Sequence, residues 1–205
     1  MSCNPISNDE ENRLLGVVLC GGQSSRMGTD KGLIHSGDSS WVKHAVHLLE
    51  QQGIPVVVSI NDGQQKEYGS LLVYEVLVVD TIDVHGPLRG LLSVHSKYPS
   101  HDLMVMACDL PDITKDILID LNTIYEDKSG EHDFIVFSNR GELEPLVGVY
   151  TAEGLSKVFK LFLAGALEKH SMKYVLEHGN TFATELNPEQ IKEFRNYNYK
   201  EDLSS

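Results

Sequence analysis

Apolar positions along the chain fall into short runs separated by helical periods. "LLGVVL", Leu14 to Leu19, is almost wholly apolar, the pattern of a strand covered on both faces as in a parallel sheet. In "SSWVKHAVHLLEQQG" the apolar residues Trp41, Val42, Ala45, Val46, Leu48 and Leu49 keep a helical period, with Ser39 or Ser40 as N-cap and Gly53 as the stop. Pro55 to Ile60 predicts a second buried strand, "VLVVD" a third ending at Asp80, and "LMVMACD" a fourth ending at Asp109. Between the last two stand the loop "TIDVHGPLRG" and the helical stretch "LLSVHSKY"; beyond them "TKDILIDLNTIYED" reads as helix, "DFIVFS" and "LVGVY" as strands, and Ala152 to Ala164 as helix. This alternation predicts one three-layer, doubly wound α/β domain over residues 14–205 on a mostly parallel sheet, behind a polar, disordered tail of residues 1–13.

Ligands of open parallel sheets sit beyond the carboxyl ends of the strands, near the point where strand order reverses. Four predicted strand ends carry the most distinctive polar residues: the segment from Leu19, Ser59 to Asn61, Asp80 and Asp109. After Leu19 comes "LCGGQSSRMGTDKG", with four glycines, Arg26 and Lys31. Glycine lets backbone N–H groups approach a ligand closely, and two cations nearby make phosphate the leading candidate, against a plain surface turn. The spacing fits neither G-x-x-x-x-G-K-[ST] nor G-x-G-x-x-G, which sets both common nucleotide folds aside.

The formal net charge of -13, from 17 Lys and Arg against 30 Asp and Glu, argues against nucleic acid or an anionic membrane as partner. An anionic ligand therefore needs a local pocket or a metal. No apolar stretch approaches the roughly 18 to 20 residues of a bilayer span, and the beginning lacks the regions of a signal peptide, so a cytoplasmic protein is expected. The three scattered cysteines indicate neither a disulfide framework nor a zinc site, and Cys20 and Cys108 read as small buried thiols. His44 and His47, three apart without a third ligand, do not make a metal site. Asp109, ahead of Pro111, either anchors a hard cation such as Mg2+ together with substrate phosphates or caps the next turn; Asp80 has the same two readings. Gly86 to Gly90 is either a turn or the start of a helix aimed at the crevice.

Taken in order, "VVLCGGQSSRMGTDKGL", the strand ending in Asp80, "GPLRGLLSV", "MACDLPDI", "EPLVGVY" and "NYNYKEDL" resemble the molybdenum cofactor guanylyltransferases, within the glycosyltransferase-A-like, Rossmann-like nucleotidyltransferases. The resemblance covers nearly all of the chain after residue 13. It implies transfer of GMP from GTP to the terminal phosphate of molybdopterin or Mo-molybdopterin with release of pyrophosphate, and contacts with other cofactor-biosynthesis and insertion proteins. It implies backbone contacts to the nucleotide from Leu19, Cys20, Gly21 and Gly22, phosphate contacts and catalytic roles for Arg26 and Lys31, nucleotide contact by Asp80, and Mg2+ ligation with a catalytic role for Asp109. The family's base- or ribose-contacting Asn is Ser59 here, with Asn61 two residues later. The usual terminal "NxNTP" is "NYNYK", which keeps Asn196 and Asn198 in the part that handles the pterin. Two rival readings are a cytidylyltransferase acting on molybdopterin or on a sugar or polyol phosphate, whose relatives more often carry "LAAG" in place of "LCGG", and a GTP-binding module without catalysis.

Overall fold

The computed structural model describes residues 13–21, 30–36, 39–72, 76–195 and 197. In chain order the elements are β1 (Leu14–Leu19), a 3-10 turn (Lys31–Leu33), a short hairpin of β2 (His35–Ser36) and β3 (Ser39–Ser40), α1 (Trp41–Glu50), β4 (Val56–Ile60), a 3-10 turn (Asp62–Gln64), α2 (Gln65–Leu71) and β5 (Val76–Val79). There follow α3 (Pro87–Lys97), β6 (Asp102–Ala107), α4 (Lys115–Lys128), β7 (Phe134–Asn139), β8 (Glu142–Tyr150), α5 (Ala152–Leu163), α6 (Met172–His178), β9 (Thr181–Glu185) and α7 (Gln190–Glu193). No helix of the described residues is long and apolar enough to cross a membrane.

Seven strands form one sheet in the order β5-β4-β1-β6-β8-β7-β9. All neighbours pair in parallel except at β8, which runs antiparallel to both β6 and β7, so the sheet is mixed and mostly parallel. The chain moves outward from β1 to β4 and β5, then crosses back to place β6 on the other side of β1. That reversal opens a crevice beyond the carboxyl ends of β1 and β6.

Every residue of β1 and of β6 is buried, because helices cover both faces of these central strands. Side-chain alternation divides the interior in two. Val18 shares one core with Val42, Ala45 and Leu49 of α1 and with Leu118 and Leu121 of α4. Leu15, Val17 and Leu19 point the other way, onto Leu88, Leu91 and Leu92 of α3 and Leu155 of α5. The helix expected after Ser39 or Ser40 begins at Trp41 behind Ser40, and the chain turns away at Gly53, where φ is +75°.

Three stretches differ from the sequence expectation. The helix expected from Leu91 already begins at Pro87: Gly86 takes φ +67°, and proline, which lacks an N–H, suits the first helical position. The polar α2 shows no apolar period, since Tyr68 is its one buried residue. The expected strand "LVGVY" is part of the longer β8, whose pairing with β7 jumps from Val136↔Gly148 to Phe137↔Glu144. Pro145, with no N–H to give, lies in this irregularity, and its carbonyl accepts from Tyr150 Oη at 2.7 Å.

Candidate functional site

The crevice at the carboxyl ends of the strands is a cleft with an apolar wall of Leu19, Pro87, Ala107 and Leu146. Its polar lining comes from the ends of four parallel strands: Gly21 after β1, Ser59 in β4, Asp80 after β5 and Asp109 after β6, joined by Lys31. The start of α3 reaches the cleft through Pro87 and Gly90, which decides between the two readings of Gly86 to Gly90 in favour of a helix entering at the crevice. Leu146 reaches it from the irregular part of β8.

Asp80 is the buried acid of this cleft. Ser59 Oγ donates to its Oδ1 at 2.7 Å, while Oδ2 is buried with no hydrogen-bond partner among the described residues. Burial pushes its pKa up from 3.8 to about 6, against the opposing pull of the Ser59 hydrogen bond and the Arg89 charge. Two glycines make room for this arrangement. A Cβ on Gly21 would stand 2.1 Å from Asp80 Oδ2, and one on Gly90 would stand 2.2 Å from Ser59 Oγ. The turn after Asp80 is tied down by Ser93 Oγ, which accepts from the N–H groups of Thr81 and Ile82 at 2.9 and 3.2 Å.

Across the cleft, Lys31 Nζ donates to Asp109 Oδ2 at 2.8 Å, and each side chain is 17% exposed. Lys31 opens its 3-10 turn behind Asp30, whose carboxylate caps it by accepting from Gly32 N at 3.0 Å. The carbonyl of Asp109 accepts from Tyr197 N at 3.3 Å, and the Tyr197 ring meets Trp41 edge-on at 5.7 Å. The chain at Tyr197 therefore lies against the end of β6. Cys20 and Cys108 sit side by side as buried thiols, and burial pushes the Cys20 pKa well up, which removes it as a nucleophile.

Of the residues singled out in the sequence, Leu19, Cys20, Gly21, Lys31, Ser59, Asp80 and Asp109 all line this one cleft. Asn61 stands just outside the lining; its backbone N–H is taken by Gln64 Oε1 at 2.8 Å. Gly22, Arg26, Asn196 and Asn198 lie outside the described residues. Sequence reasoning reached Gly90 only as the end of the Gly86 to Gly90 segment, and it did not single out Leu146, Gln64 or Tyr68. Gly90 could have been found as a glycine inside a helical pattern, which signals close packing; the others carry no local signal.

The family model for the MobA-like NTP transferase domain matches residues 16–181. The chain belongs to this family. Among its relatives is a protein of Bacillus mycoides named a probable molybdenum cofactor guanylyltransferase, 29% identical over 191 residues that cover 91% of this chain and 92% of the relative. The fold of this MobA-like chain is shared by the molybdopterin-guanine dinucleotide biosynthesis protein A of Archaeoglobus fulgidus, with a TM-score of 0.74 at 19% identity over 93% of this chain and 95% of the other. It is shared as well by the 4-diphosphocytidyl-2C-methyl-D-erythritol synthase of Anaerococcus prevotii, with a TM-score of 0.71 at 7% identity over 94% and 93%. The expected α/β nucleotidyltransferase fold is thus the observed one.

Proposed function

We propose that this MobA-like nucleotidyltransferase binds GTP in the cleft and transfers GMP to the terminal phosphate of molybdopterin or Mo-molybdopterin, releasing pyrophosphate. The observation that carries the choice of base is the free Oδ2 of Asp80. An ionised carboxylate only accepts hydrogen bonds. The Watson–Crick edge of guanine offers two adjacent donors, the N1–H and the N2 amine, whereas cytosine offers one donor beside an acceptor at N3. A carboxylate held by Ser59 in this cleft favours guanine, and an unmet acceptor penalises the wrong base. The name of the Bacillus mycoides relative supports the same reading.

The chemistry needs little from the protein beyond placement and charge. A phosphate monoester with a second pKa of about 6 is largely ionised at neutral pH, so the attacking oxygen needs no general base. That oxygen forms a bond to the α-phosphorus of GTP as the bond from phosphorus to the bridging oxygen breaks, and the electron pair leaves with pyrophosphate. Lys31, opposite the base end of the cleft, neutralises charge on the phosphates, and Arg26 is assigned the same task. Leu19, Cys20, Gly21 and Gly22 supply backbone contacts to the nucleotide, and Asn196 and Asn198 contact the pterin.

The donor set fits Mg2+. Among the described residues no three acidic, His or Cys side chains gather as a metal cage, yet Asp109 presents one partly exposed carboxylate in the cleft. Mg2+ is held by one or two carboxylates plus substrate phosphates, so Asp109 with the nucleotide suffices. When bound, the cation supplies charge neutralisation between the two phosphate groups. Isothermal titration with GTP, CTP and ATP in the presence of Mg2+, followed by a pyrophosphate-release assay with molybdopterin, tests the proposal. GTP preference with pyrophosphate release is expected; CTP preference would move the reading to a cytidylyltransferase, and binding without release to a nucleotide-sensing module.

A further inference from the structure

One buried side chain touches both ends of the glycine-rich segment. Gln64 Nε2 donates to the carbonyl of Cys20, where β1 has just ended, at 3.0 Å, and its other N–H is given to Asp30 Oδ2, directly ahead of Lys31. Gln64 Oε1 accepts from Asn61 N at 2.8 Å, so each polar group of this amide has a partner. One helical turn later Tyr68, fully buried, donates its hydroxyl to Asp30 Oδ1 at 2.7 Å. With Gly32 N on Oδ1 as well, three donors from three elements fix the Asp30 carboxylate. A Cβ on Gly32 would lie 2.2 Å from Tyr68 Oη, so the glycine after Lys31 is what admits the tyrosine.

The cost of this arrangement indicates a purpose. Two polar side chains, Gln64 and Tyr68, are buried beside Cys20 against a half-buried carboxylate, at the boundary between the core and the cleft, where apolar residues would pack without any need for matched donors. What the network holds constant is the separation of residues 20 and 30 and the direction in which residue 31 leaves. We propose that Gln64 and Tyr68 are positioning residues: they clasp the two ends of the glycine-rich segment through Cys20 and Asp30 and thereby set Lys31 toward the phosphates. The inference rests on the nucleotide reading above. Neither residue touches the reacting atoms, and both act through Asp30 and the chain that follows it.

Tyr68→Phe keeps the buried ring and deletes only the hydroxyl on Asp30. Gln64→Glu keeps an acceptor for Asn61 and removes both donors. Tyr125→Phe is the control, since its hydroxyl also donates to a buried carboxylate at 2.7 Å, that of Asp102, at the other end of the sheet. The probes are inorganic tripolyphosphate with Mg2+, which engages the phosphate side alone, and guanosine, which engages the base side alone. Losing a hydrogen bond to a charged group predicts tripolyphosphate affinity about tenfold weaker in Tyr68→Phe and weaker again in Gln64→Glu. Guanosine affinity is expected to hold in both, and Tyr125→Phe to lose thermal stability with both affinities intact. Equal loss of both probes, or loss of neither, in folded Tyr68→Phe overturns the clasp; if one variant does not fold, the other decides. Amide exchange at Gly32 and Leu33 reads the clasp without any ligand. Faster exchange in Tyr68→Phe alongside a parent protein that binds no tripolyphosphate would sink the nucleotide reading and keep the clasp, while unchanged exchange would sink the clasp.

Discussion

Asp80 and Asp102 are both buried, at 5% and 2% exposure, at opposite ends of one sheet, and the protein treats their carboxylates differently. Asp102, which opens β6, receives Tyr125 Oη on one oxygen and Ala152 N on the other, each at 2.7 Å, with the Arg13 guanidinium 3.7 Å away. It joins β6, α4 and the start of α5 into one unit. Asp80 receives Ser59 on one oxygen and has no partner on the other among the described residues. A buried acceptor without a donor costs stability, and on the proposed function the missing donor arrives with the nucleotide. On the proposed function, the contrast separates a carboxylate that serves folding from one that serves binding, although burial alone would rank them as equals.

The sharpest way to break this contrast is to remove each carboxylate. Asp102→Ala leaves the buried N–H of Ala152 and the half-buried hydroxyl of Tyr125 unmet and strips the Arg13 side chain of its partner, and urea unfolding should show a loss of about 3 kcal/mol. Asp80→Ala should leave unfolding free energy within about 1 kcal/mol of the parent, because removing an unpaired buried acceptor offsets the loss of the Ser59 hydrogen bond, yet lower GTP affinity about a hundredfold. Similar stability losses in the two variants would erase the distinction.

The dependence on pH comes next in size and has opposite signs for folding and for binding. The folded Asp80 titrates near 6 against an ordinary 3.8, so between those values the native state holds more protons than the unfolded one. Its contribution to stability is therefore present below about pH 4 and lost as pH rises through 6, on the order of 2 to 3 kcal/mol. Thermal melts at stepped pH should show Asp80→Asn gaining on the parent over that interval. GTP affinity should rise through the same interval, since only the ionised carboxylate accepts both guanine donors.

Smaller effects sharpen the support around Asp80. Gly90→Ala gains helix propensity but forces Ser59 Oγ away from Asp80, so melting temperature should stay near the parent's while GTP affinity falls about tenfold. Ser59→Ala removes the hydroxyl that favours the ionised form, and the midpoint of GTP affinity against pH should move upward from about 6 by a fraction of a unit.

The distinction between the two aspartates was only half legible in the sequence. The apolar runs "LLGVVL", from Leu14, and "LMVMACD", from Leu103, marked the central strands, and the rule for ligand positions in parallel sheets placed Asp80 and Asp109 at the crevice. Whether Asp80 capped a turn or faced a ligand was open, because that depends on Ser59, 21 residues away in sequence. The clasp was illegible for the same reason: Gln64 meets partners 44 and 34 residues away, and α2 has too few apolar positions to announce a helix. The helix start at Pro87 was written locally, in Gly86 and Pro87, but the apolar period from Leu91 drew the predicted boundary inward.

The central claim, that Asp80 reads a guanine base in this cleft, is tested most directly by titrating the parent and Asp80→Asn with GTP, CTP and XTP. Xanthine carries a carbonyl where guanine carries its N2 amine, so the amide of an asparagine complements it. The account predicts that the parent prefers GTP and that Asp80→Asn prefers XTP; a parent that prefers CTP, or a variant that keeps its preference for GTP, would contradict it.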